Sequence, residues 1–171
     1  IEVHIVTSTA GGTGAGSFLQ TAYLVREILM RNNITNPKVW GYFLLGDVFL
    51  RDPSINLADP TKMTNVLANT YACIKELNGI FEIKPGDEIE FEYGRFSTVP
   101  TVISKDNSIP FNQVFLYDFE NNDGNNLKFI RNYSRQISEF LYLNAFSPAG
   151  SETRSRAINE IFRQIEQGSA S

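Results

Sequence analysis

Four glycines fall within six residues of Ala10-Gly11-Gly12-Thr13-Gly14-Ala15-Gly16-Ser17, and two hydroxyl residues stand among them. An apolar segment precedes this cluster and a helical pattern follows it. Glycines here allow positive φ and let a ligand approach the backbone with no Cβ in the way. The first amides of a helix have no intrahelical acceptor, and the helix dipole adds roughly half a positive charge at that end. Phosphate oxygens satisfy both. Thr13 and Ser17 can donate hydroxyl hydrogen bonds to the same oxygens, or Ser17 can cap the helix.

Two familiar phosphate loops do not fit. A Walker loop needs Gly-Lys-Ser/Thr, and residues 1–37 contain no lysine. A dinucleotide fingerprint starting at Gly12 requires glycine where Ser17 stands, and one starting at Gly14 requires it at Leu19. A tight turn whose glycines serve only helix–sheet packing is the alternative reading.

The elements that would position this cluster follow from hydrophobic periodicity. Residues 2–8 read as a buried strand, and 17–31 as a helix with Phe18, Ala22, Val25 and Leu29 on one face. Residues 38–45, "KVWGYFLL", are apolar nearly throughout, as in a parallel strand covered on both faces. Together they predict a right-handed βαβ unit. Residues 46–60 read as a loop holding two Asp-Pro pairs. A helix over about 60–78 follows, with Pro60 in its first turn and Gly79 at its end. Its inward side carries Met63, Val66, Leu67, Thr70, Tyr71, Ile74 and Leu77.

Residues 80–104 alternate Ile, Phe and Glu around Pro85-Gly86-Asp87, which predicts a β-hairpin. A third buried strand covers 111–119. A long helix covers about 125–146, with Leu127, Ile130, Tyr133, Ile137, Phe140 and Leu141 as its apolar positions. A last helix spans about 152–167. The fold class is α/β: a three-layer sandwich with a mostly parallel sheet and a hairpin insertion.

The chain has 171 residues, enough for one domain over 1–167 with 168–171 as tail or linker. Hydrophobic residues make up 42% and charged residues 20%, which argues against disorder. A net charge of −4, with Lys and Arg not gathered into one stripe, gives no electrostatic reason to expect nucleic acid as a partner. No apolar run approaches the roughly 20 residues that span a bilayer. The single cysteine, Cys73, cannot form an internal disulfide and fits a reducing, cytoplasmic setting. It reads as a small buried hydrophobe, and His4, the only histidine, as a core residue. No zinc-ligand spacing and no Gly-x-Ser-x-Gly elbow occurs. The opening on Ile1, inside what reads as a core strand, suggests a piece of a longer protein.

Gly-Gly-Thr-Gly-Ala-Gly after a strand ending in small residues resembles the signature of the tubulin and FtsZ family of GTPases. "STAGGTGAGSFLQTAYLVREIL" with "WGYFLLGDVF" is most similar to the divergent bacterial tubulin-like proteins, and residues 3–45 carry the resemblance. It implies that the glycine motif binds the phosphates of GTP or GDP, with Mg²⁺, in a chain that assembles head to tail into filaments. Tubulins place Glu-Pro before the next helix, where Asp59-Pro60 stands here, so Asp59 is a candidate ribose acceptor as well as a candidate N-cap. Asn65 and Asn69 are weaker candidates beside it.

The resemblance also implies an asparagine that reads the guanine edge, with Asn121, Asn122 and Asn126 as candidates. A ring at the start of the long helix would stack on the base. Phe129 and Tyr133 are available, and Tyr133 is the choice, with core packing as its alternative role. Three features depart from the family. Its earlier phosphate and metal loops are not in these residues, the 80–104 hairpin has no counterpart in tubulin or FtsZ, and no Asn-x-Asp pattern surrounds Glu152. Glu152 is therefore not assigned as catalytic. A nucleotide-binding scaffold that does not hydrolyse GTP is the second reading.

Overall fold

The computed structural model describes residues 1–55, 59–84, 86–91, 101–104, 109–120 and 124–146. The chain divides into two compact units, Ile1–Ile130 and Arg131–Ser171. The first unit is built on a parallel three-stranded sheet in the order β1-β2-β5, with strands β1 (Glu2–Ser8), β2 (Lys38–Leu44) and β5 (Gln113–Tyr117). Glu2 pairs with Lys38 and Ser8 with Leu44, while Trp40 pairs with Gln113 and Leu44 with Tyr117. Between β1 and β2 runs helix α1 (Gly12–Arg31), as the βαβ pattern requires.

Residues 39–44 of the central strand are all buried, which is why it reads as one apolar run rather than an alternation. Val39 and Phe43 face a core made with Phe18, Leu19, Ala22 and Tyr23 of α1 and Cys73, Leu77 and Ile80 of α3 (Pro60–Phe81). The Phe43 ring meets Phe18 edge-on at 5.3 Å and Phe111 at 5.4 Å. Trp40 and Tyr42 alternate to the opposite face and stack on Phe115 at 6.3 and 5.0 Å. His4 joins them, its Nδ1 lying 3.0 Å from the Tyr42 hydroxyl, as a half-buried structural residue. Cys73 is fully buried, and burial pushes its thiol up to about 12.

Several boundaries differ from the sequence reading. Helix α1 starts at Gly12, five residues before the expected Ser17, so the glycine cluster is the first turn of the helix rather than a loop before it. A five-residue helix, α2 (Gly46–Leu50), occupies the start of the expected 46–60 loop; one turn is too short to show a period. Helix α3 passes through Gly79 to Phe81, because the burial of Leu77, Ile80 and Ile83 outweighs the ~1 kcal/mol cost of a helical glycine. Its buried seam is Cys73, Leu77 and Ile80, with Val66 and Thr70 partly buried, while Met63, Leu67 and Tyr71 are exposed.

Strand β3 (Glu88–Phe91) pairs antiparallel with β4 (Thr101–Ser104), Glu88 opposite Ser104 and Phe91 opposite Thr101. The residues joining them, 92–100, lie outside the described residues. Strand β5 is shorter than the expected 111–119. The long helix, α4 (Ile130–Phe146), begins five residues after the expected 125, since Gly124 and Lys128 hold positive φ of 77° and 61°. Tyr133, Ile137 and Asn144 are its buried positions, whereas the expected apolar position Phe140 is exposed. The expected helix over 152–167 lies outside the described residues.

Arg26 of α1 ties the end of the sheet remote from the glycine cluster. Its Nε donates to the Pro110 carbonyl at 2.7 Å, one Nη to the Pro37 carbonyl at 3.3 Å and the other to Asn112 Oδ1 at 2.7 Å. Asn112 Oδ1 also accepts from the Val39 amide at 2.8 Å. Arg26→Met keeps the aliphatic stem but strips three donors. It should lower stability by roughly 1.5–3 kcal/mol in urea denaturation; a loss under 0.5 kcal/mol would show these bonds to be dispensable.

Candidate functional site

β1 ends at Ser8, and its last residues are tied down side chain by side chain. The Ser8 hydroxyl accepts from the Ala10 amide at 3.0 Å. The buried Thr9 donates its amide to the Leu44 carbonyl at 2.9 Å, extending the β1–β2 ladder. Thr9 Oγ1 lies 2.9 Å from Thr70 Oγ1, which in turn accepts from the Gly46 amide at 3.0 Å. Asn69 Nδ2 donates to the Ala10 carbonyl at 3.1 Å.

The helix starts immediately afterwards. Gly11 is its N-cap in extended conformation, φ −106° and ψ 150°, and no side chain caps the helix. The intrahelical ladder begins with the Ala15 amide bonding to the Gly11 carbonyl at 3.1 Å, so the amides of Gly12, Thr13 and Gly14 precede it. The capping alternative for Ser17 is thereby corrected: Ser17 lies one turn inside, its hydroxyl donating to the Thr13 carbonyl at 2.7 Å. None of the four glycines adopts positive φ, so conformational freedom is not why they are there.

What a Cβ would meet separates them into two kinds. At Gly14 it would lie 2.2 Å from the Ser8 carbonyl oxygen and 2.6 Å from Thr7 Oγ1, contacts that no side chain can make. At Gly11, Gly12 and Gly16 it would meet nothing within 4 Å. Gly14 thus lets the helix start close against the strand end, while the other three leave the surface around the exposed amides bare.

That surface borders a cleft of about 620 Å³, lined by Thr7, Ser8, Ala10, Gly11, Thr13, Gly14 and Ser17. Phe49 from α2, Ile55 from the loop after it and Val66 from α3 form the apolar part of the lining. The cleft sits at the carboxyl end of β1, where parallel α/β sheets present their ligand sites. No Lys or Arg contributes to this lining, so the positive potential available there comes from amides and the helix dipole. Among the described residues no group of three His, Cys, Asp or Glu is arranged to hold a metal.

The structure brings Ala10, Gly11, Thr13, Gly14 and Ser17 together around the cleft. Gly12 and Gly16 are exposed beside it, and Ala15 turns into the core. Asp59 is the N-cap of α3, its Oδ1 accepting from the Thr61 amide at 2.9 Å. Asn65 is exposed on the second turn of the same helix. Asn126 is exposed and bridged to Glu120, Tyr133 is buried on α4 in the second unit, and Asn121 and Asn122 lie outside the described residues.

Sequence reasoning missed the apolar walls, although Phe49 and Ile55 were unusual in a segment read as a loop. It also missed Asp52. This buried carboxylate accepts from the Ser54 amide at 2.7 Å, the Ser54 hydroxyl at 2.5 Å and the Ile130 amide at 2.7 Å. It thereby fixes the turn between Phe49 and Ile55. The triplet Asp52-Pro53-Ser54 was the available signal, since an Asp two residues before a Ser favours such a turn.

A parallel α/β domain whose first strand runs into a bare helix N-terminus at an open cleft defines the class of protein. The family model described as tubulin-like matches residues 1–169, and the chain belongs to the tubulin-like family. Neither curated proteins nor solved structures gave a match. No helix among the described residues is long and apolar enough to cross a membrane.

The two kinds of glycine predict opposite stability effects. Gly14→Ala should destabilise by about 1–3 kcal/mol through overpacking against Ser8. Gly16→Ala, in an open helical position, should be neutral or stabilising by about 0.4–1 kcal/mol. Denaturant midpoints of the two variants check this; equal effects would mean that the contact at Gly14 is not constraining.

Proposed function

We propose that this domain binds a guanine nucleotide, with its phosphates on the amides of Gly12, Thr13 and Gly14 and its polyphosphate chain over Gly11 and Gly16. The observation that carries the reading is the bare approach. Three glycines carry no side chain where a Cβ would meet only empty space, beside amides that precede the helix ladder. Protein packing does not ask for glycine at those positions, whereas a closely held anion does. Membership of the tubulin-like family supports a guanine nucleotide as that anion.

Magnitudes say which effect dominates. Hydrogen bonds to a charged acceptor contribute about 1.5–3 kcal/mol each. The dipole at a helix terminus contributes about 0.3–1 kcal/mol, up to ~2 when partly buried. Three amides therefore outweigh the dipole, and directed hydrogen bonds rather than diffuse charge select the ligand. The Thr13 hydroxyl adds a donor on the same side, whereas the Ser17 hydroxyl spends its one proton on the Thr13 carbonyl. Asp59 and Asn65, at the start of α3, are the proposed ribose side.

The cleft lining has hydroxyls but no carboxylate, so it does not itself form a Mg²⁺ cage. No catalytic step is derived through the metal. The same proposal takes in the finer family features: a three-layer arrangement, residues 80–104 as an inserted hairpin, the bacterial branch of the family and a cytoplasmic setting. It also includes head-to-tail assembly with GTP hydrolysis across subunit contacts, in which positioning and charge stabilisation carry phosphoryl transfer to water.

The test uses the full natural chain containing these residues. It should bind a fluorescent guanine nucleotide, release it to excess GTP but not to excess ATP, and turn over GTP at a rate rising more than linearly with protein concentration. Gly12→Val should weaken binding at least thirtyfold without lowering the melting temperature. Tight binding without turnover would point to the scaffold reading. No binding, or equal binding by the Gly12→Val chain, would overturn the proposal.

A further inference from the structure

Asn69 was a weak candidate for the ribose, yet its amide nitrogen is used elsewhere: Nδ2 donates to the Ala10 carbonyl at 3.1 Å. Ala10 is the last residue before the N-cap, and its own amide is held by the Ser8 hydroxyl at 3.0 Å. Both backbone polar groups of Ala10 are therefore held by side chains. The Ser8 bond is local, two residues away, and travels with the strand. The Asn69 bond reaches across 59 residues of chain and comes from a different element, α3.

One residue further along α3, the Thr70 hydroxyl is hydrogen-bonded to the Thr9 hydroxyl at 2.9 Å. Adjacent positions of α3 thus hold adjacent residues of the strand exit. The plane of the Ala10–Gly11 peptide follows from the direction of the Ala10 carbonyl. Gly11 has no side chain within reach of any neighbour to fix it otherwise, since a Cβ there would meet nothing within 4 Å. The orientation of the next amides, those of Gly12, Thr13 and Gly14, is set through that peptide. A glycine-rich turn is the segment least able to hold its own conformation, because glycine loses the most freedom on ordering.

We infer that Asn69 is a positioning residue for the anion site: by holding the Ala10 carbonyl it pre-orients the amides of Gly12–Gly14 toward the cleft, so that the ligand does not have to order them. This assignment rests on the anion-binding reading of the cleft. Pre-organisation of this kind contributes affinity without any contact to the ligand. Thr70 is less suited to test it, because its hydroxyl also serves Gly46 and Val66 and its loss would disturb α2 as well.

The experiment compares Asn69→Ala, Asn69→Asp and Arg26→Met with the unaltered sequence, all in the full natural chain. The first readout is affinity for fluorescently labelled GDP well below every melting temperature. The second is the ¹⁵N order parameter of the residue 11–14 amides without nucleotide. Asn69→Ala should weaken binding at least tenfold and lower the order parameters of residues 11–14 from about 0.85 to below about 0.6, with those of 39–44 unchanged. Asn69→Asp, whose carboxylate cannot donate to the Ala10 carbonyl and repels it, should weaken binding further. Arg26→Met, remote from the cleft, should lose stability but keep affinity within twofold.

Unchanged affinity and unchanged order parameters in Asn69→Ala would overturn the inference, as would an equal loss of affinity in Arg26→Met. If the unaltered chain binds no guanine nucleotide, the nucleotide reading fails on that result alone, while the order parameters of residues 11–14 still decide whether Asn69 orders the turn.

Discussion

The approach of α1 to the end of β1 is the constraint on which the site depends. Glycine at position 14 lets the helix begin where any side chain would strike the Ser8 carbonyl 2.2 Å away. Because the helix starts there, at Gly12 and not at Ser17, its three unladdered amides arise inside the glycine cluster and beside the cleft. A start one turn later would put those donors at Gly16 and beyond, away from the strand end. The other ties around the site, Thr9 to Thr70 and Asn69 to Ala10, hold the same junction from the α3 side. Gly46 is a second close approach, where a Cβ would lie 2.5 Å from Thr70 Oγ1, and it seats α2 and its Phe49 wall.

The βαβ unit was legible because each part carries a local signal: a buried parallel strand is an apolar run, and α1 repeats apolar residues at helical spacing. The cluster's position at the strand–helix junction was legible for the same reason. The split among its glycines was not. Gly14 and Gly16 look alike in sequence, and only the presence of Ser8 against one and nothing against the other tells packing from bareness. Positive φ, the usual explanation for such a cluster, is found at none of them but at Gly86, Gly124, Asn33 and Lys128.

Helix α3 shows the same limit from the other side. Its apolar residues cover more than half its circumference, so periodicity alone did not separate the buried Cys73–Leu77–Ile80 seam from the exposed Met63, Leu67 and Tyr71. Nor did it show that Asn69 and Thr70 sit where the seam meets the strand exit, because their partners are some 60 residues away in sequence. Asp59 was legible as an N-cap from the Asp-Pro step, and that is the role its side chain fills.

The central claim is that the amides of Gly12, Thr13 and Gly14 are the donors that hold the ligand. It is tested most directly by ¹H–¹⁵N correlation spectra of the full natural chain titrated with GDP. The account predicts downfield amide-proton shifts at these three residues, saturating together with binding. Saturable binding that leaves all three resonances unmoved would contradict it.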